Sequence, residues 1–338
     1  MKRHRQDGVA LLMVLLALAL LAGGLSWLAQ QGRQEVDTAR QLQLRVQARA
    51  AETAARAFAV QALRDPLWRQ SPLFWQALRG QPLPYRFAQG SARLQLRDLR
   101  SCFNVNALLG EESERARRQL LHLLGRAGQG PSMADERLVQ TLVDWLDPDG
   151  QAQMQGAEAD QYLRASSAYL PANQPMRETS ELNLLLPADA GRYLRHPALC
   201  ALPDTSGWRL NANALTLDML PLLEALYEGE LPRSLLTRLI TARPADGYRD
   251  ADALRRHLGA LDEATFTRLA EGLLLNSDHF LLGLAFELDE QRYRTVYQVE
   301  VRGVSKWYSR VPAQQVLFRS RQPAPLWTDD AASVPLMP

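Results

Sequence analysis

The residues with the densest chemical potential lie between Asp135 and Asp160, where Asp135, Glu136, Asp144, Asp147, Asp149, Glu158 and Asp160 face the single base Arg137. Carboxylates this close need a counter-charge. Calcium is the natural candidate, because it takes roughly six to eight oxygen ligands, backbone carbonyls included, in flexible geometry. Asp147, Asp149 and Glu158 fall at positions 1, 3 and 12 of an EF-hand count, but Pro148 intrudes and Ala152 stands at the sixth position, where that loop needs glycine. The expected ligands are Asp147, Asp149, Glu158 and Asp160, with Asp144 beside Trp145 making a local cap or hydrogen bond. The alternative is a solvated acidic face that only keeps the surface soluble.

Catalysis finds no comparable pattern. The histidines His4, His122, His196, His257 and His279 are scattered, with no paired metal-ligand spacing and no nucleophile elbow. Gly125, Gly128 and Gly130 follow a helical stretch rather than a strand, which excludes a phosphate cradle, and no enzyme is expected. A competing class is nucleic-acid binding. Leu210 to Ala214, Glu228-Gly229-Glu230-Leu231-Pro232 and Leu236 to Ile240 resemble a helix-hairpin-helix module. Yet Leu231 replaces the second hairpin glycine, and acids outnumber arginines between Trp208 and Asn276, so no nucleic-acid partner is expected.

The elements that position these residues follow from the whole chain. Its 338 residues carry 39 basic and 37 acidic side chains, and the formal charge of +2 excludes a binder held by global charge alone. A 46% hydrophobic and 22% charged composition excludes a disordered chain, and the length allows two or three packed units. Val9 to Ala29 contains no charge, and as a helix it spans the roughly 30 Å of bilayer hydrocarbon. Lys2, Arg3, His4 and Arg5 precede it against Asp7 alone, which places the N-terminus in the cytoplasm and sends the remainder outward. A cleaved secretory signal peptide is the alternative. However, the segment runs through Gly23, Gly24 and Trp27 into a polar stretch without proline before Pro66, which predicts one helix to about Leu63. Leu42, Val46, Ala50, Ala54, Phe58 and Ala62 recur at every fourth position and form a stripe that needs a partner. Outside the cytoplasm, Cys102 and Cys200 are expected to close a disulfide; two buried, unpaired thiols are the alternative.

Residues 65–90, rich in Pro and aromatic side chains, read as a packed loop, and Ser91 to Leu99 alternates as a half-buried strand. Phe280 to Leu288, a turn at Asp289 to Arg292, and the alternation from Tyr293 to Val301 predict a β-hairpin. Lys306 to Val311 and Val316 to Arg319 offer a further strand pair. The block between reads as helical and inserted into the sheet. It contains a weak repeat, Phe103-Asn104-Val105-Asn106-Ala107-Leu108 and Leu210-Asn211-Ala212-Asn213-Ala214-Leu215, in which Asn106 and Asn213 are expected to cap helices. The block divides near residue 205.

A short basic leader ending in Gly8, followed at once by an apolar helix with an amphipathic continuation, resembles the class III leader of type IV pilins and type II secretion pseudopilins. The resemblance implies cleavage by a prepilin peptidase between Gly8 and Val9, which makes Met13 the fifth mature residue. Most pilins carry glutamate there; an apolar residue is the habit of general secretion pathway protein K, the largest minor pseudopilin. Further residues resembling that family are the first Asn-x-Asn, Asp144-Trp145-Leu146-Asp147, Gly156-Ala157-Glu158 with Tyr162, Asn173 to Met176, Leu199 to Pro203 and the second Asn-x-Asn. The family pattern also suggests calcium here, although it has Glu followed directly by Asp where this chain has Glu158, Ala159, Asp160.

The resemblance implies an α+β fold: a long N-terminal helix on an antiparallel pseudopilin sheet, with a large inserted all-α domain whose second half is helix-hairpin-helix-like. The expected segments are a leader (1–8), a transmembrane helix (9–29), its amphipathic continuation (30–64), sheet (65–102), two α units (103–205 and 206–276) and sheet again (277–338). The implied protein is an inner-membrane, single-pass subunit with its C-terminal domain in the periplasm. It would assemble at the tip of the type II secretion pseudopilus with I-type and J-type minor pseudopilins, the H-type being a further candidate. The competing reading is a membrane-anchored helix-hairpin-helix DNA-binding protein of an uptake or competence type.

Overall fold

The computed structural model describes residues 6–87, 90–125, 130–186, 198–288, 291–303 and 315–322. Leader residues 1–5, the expected strand at Lys306 to Val311 and part of the turn at Asp289 lie outside the described residues. Helix α1 (Gln6–Arg64) is continuous for 59 residues, about 88 Å at the helical rise of 1.5 Å per residue. Its N-terminal half stands bare of protein, and it is long and apolar enough to cross a membrane. The C-terminal half lies on a sheet through a face other than the stripe that needs a partner. Leu44, Ala48, Ala59, Ala62 and Leu63 are buried, while Leu42, Val46 and Phe58 stay more than half exposed. Ala48, Ala59 and Ala62 share the buried face with Leu44 and Leu63, whereas Leu42, Val46 and Phe58 are left uncovered. Of the predicted stripe only Ala62 is covered.

Residues 65–87 carry more regular structure than their composition suggests. Asp65 accepts from Leu67 N (2.8 Å) and opens α2 (Pro66–Arg69). Ser71 accepts from Phe74 N (3.2 Å) and opens α3 (Pro72–Leu78). Proline, which breaks a helix interior, is favourable at a first helical position behind an Asp or Ser cap. Strands β1 (Leu83–Phe87) and β2 (Gly90–Asp98) follow. Phe74, Trp75, Ala77 and Leu78 of α3 complete the core between α1 and the sheet.

The chain then leaves the sheet. The first helical unit contains β3 (Phe103–Asn104), α4 (Ser113–Leu124), α5 (Met133–Leu146), α6 (Ala159–Leu163) and β4 (Leu199–Cys200). The second contains β5 (Leu210–Asn211), α7 (Leu220–Leu226), α8 (Arg233–Thr241), α9 (Ala251–Leu258), α10 (Glu263–Glu271) and β6 (Leu273–Leu274). The sheet resumes with β7 (His279–Leu288), β8 (Gln291–Arg302) and β9 (Gln315–Gln322), giving five antiparallel strands in the order β1-β2-β7-β8-β9. Because β2 and β7 are direct neighbours, with Asp98 opposite Phe280, the whole helical insertion departs from and returns to one point.

Both units close in the same way. β3 pairs in parallel with β4, and β5 in parallel with β6. Asn106 does not cap a helix. Its Nδ2 donates to Met176 O (2.8 Å) and Leu202 O (2.7 Å), and its Oδ1 accepts from Met176 N (2.8 Å). Asn213 repeats this with Tyr248 O (2.9 Å), Leu275 O (2.8 Å) and Tyr248 N (2.7 Å). Asn104 accepts from Asn106 N (3.2 Å) and caps the short helical turn Val105–Leu109, and Asn211 accepts from Asn213 N (3.1 Å) in a turn. An amide carries donors and an acceptor together, so it alone satisfies loop carbonyls and a loop N–H at one buried point. The repeat marks two clamped units rather than two helix starts.

Candidate functional site

The acidic loop runs from the end of α5 to the start of α6. A capping box between Ser132 and Asp135 sets where α5 begins, and its C-terminal end, carrying Trp145, packs edge-on against Tyr162 of α6 (ring centroids 5.4 Å apart). This fixes both ends of loop 147–158. Carboxylate oxygens of Asp147, Asp149 and Glu158 converge within 4.8 Å of one another. Asp160 does not join them: it is exposed on the first turn of α6, 4.0 Å from Arg164.

Asp144 lies beneath the group and accepts from Gln153 N (3.1 Å). Its approach to the loop backbone explains Gly156, since a Cβ there would sit 1.8 Å from Asp144 Oδ2. Burial, opposed by the Gln153 hydrogen bond and reinforced by the Asp147 charge, pushes Asp144 up to about 6. Burial and then the Asp149 charge raise Asp147, and burial and then the Asp144 charge raise Glu158. Asp147 Oδ1 and Asn173 Oδ1 are buried without a donor among the described residues. Asn173 adopts a left-handed conformation (φ 46°), donates its backbone N–H to Trp145 O (2.9 Å) and reaches Asp149 O with Nδ2 (3.4 Å). Sequence reasoning noted it only as part of a motif. The donor set is entirely oxygen, which suits a hard divalent cation of calcium type and lacks the nitrogen or sulfur donors that favour zinc.

Cys102 and Cys200 form a disulfide with Cα atoms 5.9 Å apart, beside the parallel pairing of β3 and β4. It ties the opening of the first unit to its end. Nearby, the insertion is clasped to the sheet. Asp98 accepts from Ser277 Oγ (2.5 Å), Asn211 Nδ2 (2.6 Å) and Arg100 N (2.7 Å), while Arg100 forks onto Asp278 (2.8 and 3.0 Å) and reaches Asp204 (2.5 Å).

The helix-hairpin-helix resemblance survives as a description of shape. Glu228 (φ 53°) and Gly229 (φ 76°) turn the chain between α7 and α8. The hairpin N–H groups are used internally, Gly229 N on Glu224 O (3.0 Å) and Glu230 N on Tyr227 O (2.8 Å). Glu228 and Glu230 engage Arg118 (2.8 Å) and Arg268 (2.7 Å). A phosphate would meet carboxylates there, not free donors.

At the other end, Gly8 and Val9 lie in the first turns of α1, and Met13 is exposed on its bare apolar half. The polar stretch from Gln30 to Gln41 separates that half from the uncovered Leu42, Val46 and Phe58.

Two family models, both described as type II secretion system protein K, match residues 101–204 and 210–275. The chain is 33% identical over 303 residues to type II secretion system protein K of Klebsiella pneumoniae, covering 86% of this chain and 91% of that one. It is 29% identical over 325 residues to the Aeromonas hydrophila protein K, covering 89% and 94%. Its fold matches a chain in a crystal structure of the GspK–GspI–GspJ complex from the type 2 secretion system of enterotoxigenic Escherichia coli, with a TM-score of 0.58, 25% identity and coverage of 82% of this chain and 98% of that one. A bare apolar helix, a pseudopilin sheet and two clamped helical units thus coincide with these likenesses, and the chain belongs to the type II secretion system protein K family of minor pseudopilins.

Proposed function

We propose that this protein is a non-catalytic tip subunit of the type II secretion pseudopilus, assembling with I-type and J-type minor pseudopilins and helping to start the filament that exports folded periplasmic proteins. The observation that carries this is the division of α1: its own sheet takes the face of Leu44, Ala48, Ala59, Ala62 and Leu63, and Leu42, Val46 and Phe58 remain as an outward apolar face for other helices. The solved relative's complex with I and J chains supports the partner choice, and the H-type subunit is a further candidate. Before assembly the apolar half of α1 holds the precursor in the inner membrane with the N-terminus cytoplasmic and the remainder periplasmic. A prepilin peptidase removes the leader between Gly8 and Val9. The bulk of the two helical units opposes addition of a subunit above this one.

Asp147, Asp149 and Glu158 would hold calcium. The ion would offset the mutual repulsion of these carboxylates and fix the loop between α5 and α6. Intact mass and N-terminal sequencing of the protein from membranes with and without prepilin peptidase test the assignment. A chain starting at Val9 only when the peptidase is present is expected, and Gly8→Leu should remain uncut. An uncut wild-type chain, or one cut beyond the apolar segment, would overturn it.

A further inference from the structure

An aspartate followed by glycine is open to attack by its own backbone, because the glycine nitrogen lies within reach of the aspartate Cγ and no Cβ obstructs the approach. Three such pairs occur in the chain, Asp7–Gly8, Asp149–Gly150 and Asp246–Gly247. The first lies in the opening turn of α1. The other two lie outside helices and strands, and the fold treats them in opposite ways. Asp246–Gly247 is pinned. Arg249 Nε holds the Asp246 carboxylate (3.1 Å), Gly247 N donates to Pro244 O (3.0 Å), and the next residue is clamped by Tyr248 N donating to Asn213 Oδ1 (2.7 Å). Attack there must first open these contacts. Asp149 and Gly150 are instead both exposed, with nothing within 4 Å of the position a Cβ on Gly150 would take. Among the described residues Gly150 N donates to no backbone carbonyl. Asp149 Oδ1 accepts from Gln151 N (2.8 Å), a bond that folds the side chain forward across the Gly150 peptide, whose nitrogen is the attacking atom.

We propose that Asp149–Gly150 is a site of spontaneous aspartate isomerisation in the folded protein. A bond forms between Gly150 N and Asp149 Cγ while one carboxyl oxygen departs as water, taking the amide proton and the carboxyl proton, and a succinimide ring closes. Water then opens the ring. Addition at Cγ restores aspartate; addition at the main-chain carbonyl breaks its bond to Gly150 N and leaves isoaspartate, so water is the only molecule released and consumed. In the product the chain runs through Cβ and Cγ, and the free carboxylate springs directly from Cα. It is withdrawn from the point where Asp147, Asp149 and Glu158 converge, and the oxygen that Asn173 Nδ2 approaches (3.4 Å) has become part of it. One further expectation rests on the calcium reading above: an ion on the Asp149 carboxylate holds it away from Gly150 N and slows the conversion.

The test ages the full-length chain in detergent at neutral pH and physiological temperature. Isoaspartate is located by peptide mass spectrometry with an endoprotease that cuts before aspartate but not before isoaspartate. It should accumulate at Asp149 about tenfold or more faster than at Asp246, the penalty of opening one hydrogen bond before attack. Gly150→Ala should slow conversion at Asp149 by about tenfold or more and leave the melting temperature unchanged, since open space surrounds that position. In urea the two pairs should convert at similar rates. A preference for Asp149 that is equally large in urea would assign it to sequence neighbours and overturn the structural reading. Equal rates at the two pairs in the folded chain, or no conversion at Asp149 while the unfolded chain converts, would overturn the site. Equal rates with calcium and with EGTA would overturn ligation by Asp149 and leave the modification site standing.

Discussion

Single buried polar residues hold this insertion together, and their removal has calculable consequences. Asn213 satisfies two carbonyls and one N–H in the core of the second unit. Alanine there strands three buried backbone groups, each costing about 1–3 kcal/mol, so Asn213→Ala is expected to lose about 3 kcal/mol or more by urea denaturation. A loss under 1 kcal/mol would mean that water replaces the amide. Asp98 makes a different prediction. Burial, only partly offset by hydrogen bonds from Ser277, Arg100 N and Asn211, pushes it up to about 6. A raised carboxyl favours folding below its unfolded value near pH 4, and the benefit fades as pH rises through about 6. Its expected contribution is a loss of about 3 kcal/mol between pH 4 and 7 that Asp98→Asn removes, leaving in both chains the slope from the raised Asp144, Asp147 and Glu158. Asp278 does not obscure this window: although burial pushes it up, hydrogen bonds from His279 and Arg100 hold it far below the usual range, so its contribution changes only under stronger acid. Parallel pH slopes in wild type and Asp98→Asn would refute the assignment. The sequence displayed the asparagines as a repeat, yet their role was hidden because the groups they clamp lie 70 and 35 residues away.

Local elements were legible where periodicity is strong and uninterrupted. The alternation in β2 and β8, the apolar run of β7 and the uncharged run of α1 emerge as read, because a half-buried strand, a covered strand and a long apolar helix each leave a direct pattern in residue order. The short helices α2 and α3 were missed because proline-rich composition suggests loop; the usable signals were Asp65 before Pro66 and Ser71 before Pro72. The acidic loop was half legible. Spacing selected Asp147, Asp149 and Glu158, whereas the turn that aims Asp160 outward depends on where α6 starts. Calcium in that loop should raise the melting temperature, and chelation with EGTA should reverse the gain. A ligand at a hundred times its dissociation constant stabilises by about 2.7 kcal/mol, and Asp149→Asn should lose most of that shift. Because Asp147 and Glu158 bind protons more readily than ordinary carboxylates, the calcium effect should shrink as pH falls toward 5. An EGTA-insensitive melting curve at pH 7 would remove the metal from the account.

At the scale of the whole molecule, the division of α1 decides what the fold can do. An amphipathic helix of a solitary domain buries its larger apolar side chains and exposes its small or polar ones. Here the buried face is Leu44, Ala48, Ala59, Ala62 and Leu63, and three further large apolar side chains, Leu42, Val46 and Phe58, stay exposed. The helix is further pinned by Glu52 accepting from Tyr297 and by Arg56 over the rings of Tyr297 (5.0 Å) and Phe318 (4.3 Å), contacts that set its rotation about its own axis. The outward stripe is therefore not available to the chain's own core. Changing Leu42, Val46 and Phe58 together to serine should leave the melting temperature of the isolated chain within a few degrees of wild type, since none of the three is buried. The same change should weaken association with I-type and J-type subunits by tenfold or more, because about 1.5–3 kcal/mol of burial per large side chain is lost at the contact. Ala48→Phe and Ala59→Phe should behave in reverse, destabilising the isolated chain by prying α1 from the sheet. If the triple serine chain assembles as tightly as wild type, the outward face is not the contact, and the helix must meet its partners on another side.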